Sequence, residues 1–141
     1  MSWLLRLLAL LVFAVLAYVW LRRGLMRLRG ERREAAGALA VFERDRVRLA
    51  EAFLAAGRAA EAGRSERWHS CQLAEDRPLL ARDLATAELV ALAGVSVEGV
   101  PGGGTAVFHW RGGRWTTEGR LVEGLDPGQT LERYRDTLEP L

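Results

Sequence analysis

The pattern of apolar and polar positions begins with an almost unbroken apolar run. Between Trp3 and Leu21 the only charged residue is Arg6. A helix of about 20 residues is about 30 Å long, which matches the hydrocarbon core of a bilayer. Trp3 and Trp20 lie near the two ends of the run, where amphipathic aromatic side chains prefer the membrane–water interface. The pattern predicts a single transmembrane helix, which together with its basic flank occupies residues 1–23.

A cleaved signal peptide is the main alternative for this run. Signal peptides have an apolar stretch of about 7–15 residues followed by a cleavage site with small residues. The best candidate here, Val15–Ala17, is poor, and cleavage there would leave an apolar new N-terminus, Tyr18–Leu21. We therefore favour an uncleaved anchor over a signal peptide and over a buried soluble helix.

The charges that follow the run predict its orientation. Six arginines come soon after the run, and Glu31 is the only acidic residue among them. They are Arg22, Arg23, Arg27, Arg29, Arg32 and Arg33. Cytoplasmic flanks of membrane spans carry an excess of Lys and Arg, so we expect the N-terminus outside and the C-terminal domain in the cytoplasm. The flank, with Arg22, Arg23, Arg27 and Arg29 nearest the membrane, is also suited to contact with lipid headgroups.

A second helical pattern follows the anchor. Residues 29–62 are rich in Ala, Glu, Arg and Leu and contain no Pro, which favours a helix. Its larger apolar residues recur at alternating spacings of three and four, with Arg46 interrupting the series: Leu39, Phe42, Leu49 and Phe53. Two interpretations fit, a parallel homodimer through residues 39–60 or packing of this stripe on the chain's own domain. We favour the second and assign residues 24–63 to a helical stalk.

The remaining segment, 64–141, has short alternating patterns typical of strands. Strands are predicted at Trp68–Leu73, Pro78–Asp83, Glu88–Val100, Thr105–Trp110 and Arg114–Thr117, with an extension over Arg120–Val122. The longest of these is Glu88–Val100, and the glycine-rich Pro101–Gly104 is expected to be a loop. Gly112 and Gly113 favour a tight hairpin turn between the last two full strands.

The chain closes with a well-marked helix start. Asp126 suits the N-cap, Pro127 the first helical position, and Gln129 completes a capping box. The apolar stripe expected to follow comprises Leu131, Tyr134 and Leu138, and Pro140 is expected to end the helix. The predicted fold is therefore α+β: a transmembrane helix, a helical stalk, and a small antiparallel β-meander whose one buried face is covered by a C-terminal helix.

Charge separates the two ends of the chain and excludes one class of partner. All 20 basic residues are arginine, and the whole chain of 141 residues has a net charge of +2. Residues 1–33 carry seven arginines and one glutamate, net +6, whereas residues 34–141 have a net charge of −4. Nucleic-acid-binding domains usually present a basic face, so we expect no nucleic-acid partner. The single cysteine, Cys71, allows no intramolecular disulfide.

The residues that could carry chemistry form no recognisable set. Cys71 has His69 two residues away, and His109 could approach from another strand, but no motif activates the thiol. A zinc site would have to combine these three with Asp83 or Glu118, without the usual ligand spacing. The sequence thus predicts no catalytic, cofactor-binding or metal-binding residue, and a Cys71-dependent enzyme is only a third hypothesis.

Two tryptophans are the remaining candidates for a binding role. Trp110 and Trp115 flank the predicted Gly-Gly turn, where they can pair across the hairpin or anchor a partner. We expect a membrane-anchored accessory or adaptor protein whose head, residues 64–141, binds a protein partner near the membrane through a strand edge or this hairpin. The alternative is a head that binds a small molecule or lipid between the sheet and the C-terminal helix.

Overall fold

The computed structural model describes residues 2–60 and 68–141. The chain divides into two compact units, Met1–Ala36 and Gly37–Leu141. The architecture is α+β: a long N-terminal helix, an antiparallel sheet and a short C-terminal helix. The second unit includes the last turns of the long helix and the helix after it, which the sequence analysis placed in the stalk.

The long helix, α1, runs from Ser2 to Arg44. Gly24 and Gly30 do not interrupt it, because both positions are open and the neighbouring Leu, Ala and Arg residues are strong helix formers. Its apolar N-terminal part is long and apolar enough to cross a membrane, and none of that part is buried. After one non-helical residue, Asp45, a second helix, α2, runs from Arg46 to Ala60.

Seven antiparallel strands form one sheet in the described part of the second unit. They are β1 (Cys71–Leu73), β2 (Leu79–Asp83), β3 (Leu89–Val97), β4 (Val100–Arg111), β5 (Arg114–Thr116), β6 (Leu121–Glu123) and β7 (Leu138–Pro140). The main order is β5-β4-β3-β2-β7, with β1 also paired to β3 and β6 also paired to β4. Strands β2 to β5 thus form a meander as predicted, and β7 adds to its edge beside β2. The strand expected at the start of the meander, β1, pairs with β3 and not with β2.

The C-terminal end of α1 and the helix α2 cover one face of this sheet. Phe42, at the end of α1, packs edge-on against Phe108 and Trp115, with ring centroids 5.3 and 5.8 Å apart. Leu49 and Phe53 of α2 are buried in the same cluster. The apolar stripe of residues 39–60 therefore packs on the chain's own sheet. A homodimer through this segment stays a prediction, and it would need exposed residues of the helices.

The C-terminal helix, α3 (Pro127–Arg133), covers part of the other face. Leu131 and Tyr134 pack there against a second cluster that contains Val90 and Val107. The expectation of one buried face was therefore wrong: β3 is buried along most of its length on both sides. Alternation of apolar and polar residues marks only half-buried strands, and the Val- and Leu-rich run of β3 is the pattern of a strand covered twice.

The glycine-rich segment Pro101–Gly104 is part of a strand, not the loop that we predicted. It belongs to β4, which at 12 residues is longer than the nine-residue β3. A Cβ atom on Gly104 would collide with the backbone of Val122, and one on Gly103 would meet the Val95 carbonyl oxygen at 2.5 Å. These glycines let neighbouring strands approach β4 closely. The tight turn at Gly112 and Gly113 is confirmed, with positive φ at both residues.

The start of α3 matches the prediction and its end does not. The Asp126 side chain accepts a hydrogen bond from the Gln129 backbone N–H, and the Asp126 backbone N–H donates one to the side-chain oxygen Oε1 of Gln129. The helix ends at Arg133, however, and Leu138–Pro140 forms β7. Pairing of β7 with Ala81–Asp83 replaces the last helical turn that we expected, and proline is tolerated there because β7 is an edge strand.

Two buried hydroxyl groups join α3 to the sheet. Thr130 donates a hydrogen bond to Thr105 Oγ1 (2.8 Å), and Thr105 donates one to the Leu125 carbonyl oxygen (2.8 Å). Both residues are almost fully buried. We expect Thr105→Val to lower the free energy of unfolding by about 1–3 kcal/mol, because it leaves two buried polar groups without partners. Thr130→Val should lower the free energy of unfolding by less. Denaturant unfolding of both variants checks this order, and equal stability of Thr105→Val and wild type would contradict it.

Candidate functional site

A groove on the α3 side of the sheet forms a concave surface of the second unit. It lies beside the part of this face that α3 covers, and its volume is about 660 Å³. Its lining includes the paired strand residues Gln72 and Ser96, the turn at Ala74–Glu75, and the start of α3 from Asp126. Ligand sites commonly have volumes of about 300–1,000 Å³, so this surface has the size of a binding site.

Because of its glycines, the groove is lined by few large side chains. Four glycines line it: Gly94, Gly102, Gly104 and Gly124. Each has a structural reason, since a Cβ on Gly94 would be 3.2 Å from Ala74 Cβ, Gly104 lies against β6, and Gly102 and Gly124 have positive φ. At the exposed Gly102 and Gly124, the backbone itself is accessible to a ligand.

The polar groups of the groove suit hydrogen bonding rather than catalysis. Gln72 and Ser96 are exposed side chains that make no hydrogen bond to any residue described by the structure. The charged residues in the lining are Glu75 and Asp126, so the lining is acidic. Asp126 is already engaged as the cap of α3. A bound segment would therefore meet amide, hydroxyl and carboxylate groups, which favours a partner rich in hydrogen-bond donors.

The space between the sheet and α3 is small by comparison. Its cavity has a volume of about 70 Å³ and is lined by both apolar residues, such as Leu92, and polar ones, such as Tyr134 and Thr137. This volume accommodates about two water molecules and is far below that of an organic-ligand site. The side chains of the second cluster occupy the space in which we considered a small-molecule or lipid site.

The tryptophan hairpin is placed as predicted, with its two rings 5.1 Å apart. Trp115 is only 5 % exposed, and its indole N–H donates a hydrogen bond to the Ala38 carbonyl oxygen (2.8 Å). Trp115 therefore joins the hairpin to α1 in the core. Trp110 is half-buried, so it is the ring of the pair with more surface to offer a partner. A partner contact at Trp110 and Trp115 stays a prediction.

Cys71 and His109 are not brought together. Cys71 pairs with Val97 and His109 pairs with Val90, so seven residues of β3, or about 23 Å, separate them. His69 is exposed. Among the described residues, no group of three or more His, Cys, Asp or Glu side chains is placed to hold a metal ion.

Burial raises the pKa of the Cys71 thiol from its ordinary value of 9.0 to about 11. We therefore expect alkylation of the folded protein to be slow at pH 8 and to accelerate with a midpoint near pH 11, since the thiolate is the nucleophile. The stabilising effect of the protonated thiol is complete below pH 9 and declines as the pH rises toward 11. Rates measured with iodoacetamide across pH, with urea-unfolded protein as control, test this, and a folded-state midpoint below pH 9 would contradict it.

A charged cluster lies at the opposite end of β3 and β4 from Cys71. Arg111 donates two hydrogen bonds to the Glu88 carboxylate (2.9 and 3.2 Å), and these lower the pKa of Glu88. His109 Nδ1 lies 3.5 Å from the same carboxylate. Because Arg111 favours the ionised form of Glu88, this carboxyl is suited to hold neighbouring strands together rather than to exchange protons.

The predicted membrane-flank residues Arg22, Arg23, Arg27 and Arg29 all lie on α1 and are exposed. Arg27 forms an ion pair with Glu31 at 3.6 Å. The groove residues Gln72 and Ser96 did not emerge from the sequence. Each is an ordinary polar residue on a short strand, and only the register of β1 against β3 makes them neighbours.

Comparison with known proteins adds no relative. The chain matches no protein-family model, no curated protein and no solved structure. The groove and the apolar helix are therefore the features of this chain that bear on its function.

Proposed function

We propose that this chain is a single-pass membrane-anchored adaptor without catalytic activity, whose α+β head binds a segment of a protein partner in the glycine-lined groove. The observation that carries the proposal is the groove itself, a concave space of about 660 Å³ with accessible backbone. The side chains of Gln72 and Ser96 line it and make no hydrogen bond to the described residues. Its acidic lining favours a partner segment that is rich in hydrogen-bond donors or basic residues.

The anchor in this proposal is the N-terminal part of α1. The leucine, valine and aromatic side chains of this N-terminal part are exposed, including Leu5, Leu11 and Leu16. A soluble protein rarely exposes such a large continuous apolar surface, and insertion into a bilayer would cover it. With the arginine-rich flank on the cytoplasmic side, the N-terminus would be outside and the head in the cytoplasm.

A site-specific crosslinking experiment tests the partner site. A photoreactive phenylalanine analogue at Gln72 lies in the groove, whereas the same analogue at Glu132 is exposed on α3 outside the groove lining. We expect a discrete protein adduct only from position 72, in cells that express the full chain. Adding Ser96→Trp, which fills the groove, should reduce the adduct about tenfold. Equal adducts from both positions, or persistence with Ser96→Trp, would overturn the groove as the site.

Sidedness is tested separately. Reporter domains fused after Leu141, one active only inside the cytoplasm and one active only outside it, give opposite results for the two orientations. We expect activity from the cytoplasmic reporter alone. Activity from the external reporter would reverse the proposed orientation and would direct the search for partners to the other side of the membrane.

The alternative, a small-molecule or lipid site in the head, has less support. The cavity beneath α3 is too small for it, and the groove is open and has the carboxylates of Glu75 and Asp126 in its lining. A ligand in that cavity would have to displace α3, whose capping box and buried threonine pair resist this.

A further inference from the structure

The arginines of the flank surround α1 instead of forming a stripe along it. We use the term arginine collar for Arg22, Arg23, Arg27, Arg29, Arg32 and Arg33. At about 100° per residue, these six positions are spread over about 220° of the helix circumference. Glu31 and Leu28 lie in the remaining sector, and Leu25 and Met26 lie among the arginines. The segment therefore has no separate apolar face.

This distribution distinguishes two ways for a helix to meet a membrane. A helix that lies flat in the interface has a segregated apolar face opposite a basic one. A helix that passes upright through the headgroup layer is surrounded by headgroups, so basic residues on most sides of the helix can bind them. The collar has the second pattern, and α1 is continuous through it.

The charge of the collar suits a headgroup layer, and the part of the collar nearest the anchor is long enough to cross that layer. The four arginines nearest the anchor, Arg22 to Arg29, span about 10 Å along the helix. Headgroup and interfacial regions add about 5–7 Å on each side of the hydrocarbon core. Within the described chain, Arg27 is the one collar arginine with a carboxylate inside 4 Å, and its side chain is 84 % exposed. The other guanidinium groups are available for phosphate.

We infer that the arginine collar is a binding site for anionic phospholipid headgroups, which form an annulus around α1. The inference depends on the proposed membrane anchor. Guanidinium groups match phosphate geometry with paired hydrogen bonds. The expected ligands are lipids with a net negative headgroup, such as phosphatidylglycerol, in preference to zwitterionic phosphatidylcholine.

Electron spin resonance of spin-labelled lipids tests this with the full chain in phosphatidylcholine vesicles. Lipids held at a protein surface give a motionally restricted signal. We expect spin-labelled phosphatidylglycerol to be enriched about fivefold over spin-labelled phosphatidylcholine in that signal at low salt. The enrichment should fall toward one in 1 M salt, where screening is strong.

Matched variants separate collar binding from general charge. Gln at positions 22, 23, 27 and 29 should abolish the enrichment, whereas Lys at the same positions should keep it. The charge-matched control has Gln at four exposed head positions: Arg77, Arg114, Arg133 and Arg135. It should retain the enrichment of the wild type.

Three other results would overturn the inference. A restricted signal of equal size for both labelled lipids would leave the anchor intact and reject the collar as a lipid site, as would an equal loss of enrichment in the head control. No restricted signal for either lipid would reject the membrane anchor and the collar site together.

Discussion

Replacement of both Leu11 and Val12 by aspartate should release the protein from membranes. These residues lie near the middle of the apolar run and are exposed on α1. One charge at the centre of a spanning helix costs about 2.5–3.5 kcal/mol on insertion scales. Two such charges cost about 5–7 kcal/mol, which corresponds to a shift of about four to five orders of magnitude in the partition equilibrium.

Membrane pellets washed with alkaline carbonate provide the measurement, with the head detected by antibody. Wild type and the control Leu11→Ala/Val12→Ala should remain in the pellet, because alanine keeps the segment apolar. N-terminal sequencing of the membrane form should start at or next to Met1. An aspartate variant that stays in the pellet would show that the run does not anchor the chain, and a wild-type N-terminus near Tyr18 would identify a cleaved signal peptide.

Gly57→Ala should destabilise the head although the substitution is made inside a helix. In an open helical position, alanine stabilises relative to glycine by about 0.5–1 kcal/mol. Gly57 is buried on α2, and a Cβ atom there would overlap the Trp68 ring. The ring is itself fixed, because it stacks on Phe53 with centroids 5.6 Å apart. Overpacking of this kind usually costs about 1–3 kcal/mol, so the expected sign is the reverse of the usual one.

Gly37→Ala is the matched control for this substitution. Gly37 is also helical, but a Cβ atom there would meet nothing within 4 Å. We expect Gly37→Ala to raise the midpoint of thermal unfolding by a few degrees and Gly57→Ala to lower it by about 4 °C or more. Near-ultraviolet circular dichroism of the full chain in detergent reports both. Stabilisation by both substitutions would show that Trp68 does not pack against α2 as described.

The features that the sequence predicted well are determined within a few residues of chain. Asp126, Pro127 and Gln129 form their capping box among themselves, and Gly112 and Gly113 form their turn with only adjacent residues. The apolar run of α1 also reports its own helix without help from distant contacts. In each case the physical cause and the sequence signal occupy the same short segment.

The features that the sequence did not predict depend on distant partners. Gly103 and Gly104 resemble a loop until β3 and β6 are placed beside them. Leu138 is compatible with a helical stripe, and pairing with Asp83 makes it a strand residue. The groove is still harder to predict from the sequence. It combines four separated segments, and part of its shape comes from glycines, which have no side chain. No local periodicity encodes such a surface.

The packing of α2 has a consequence for the protein during its synthesis. Phe53 is made well before its ring partner Phe108, which lies 55 positions later in the chain. At about 5–20 residues per second, translation of that interval takes about 3–11 s. Throughout that time the apolar stripe of the helix has been made, and β4, which carries Phe108, is not complete. The nascent chain therefore exposes an apolar helix face for seconds. During this period a chaperone or the adjacent bilayer surface, rather than the finished fold, must keep it from aggregating.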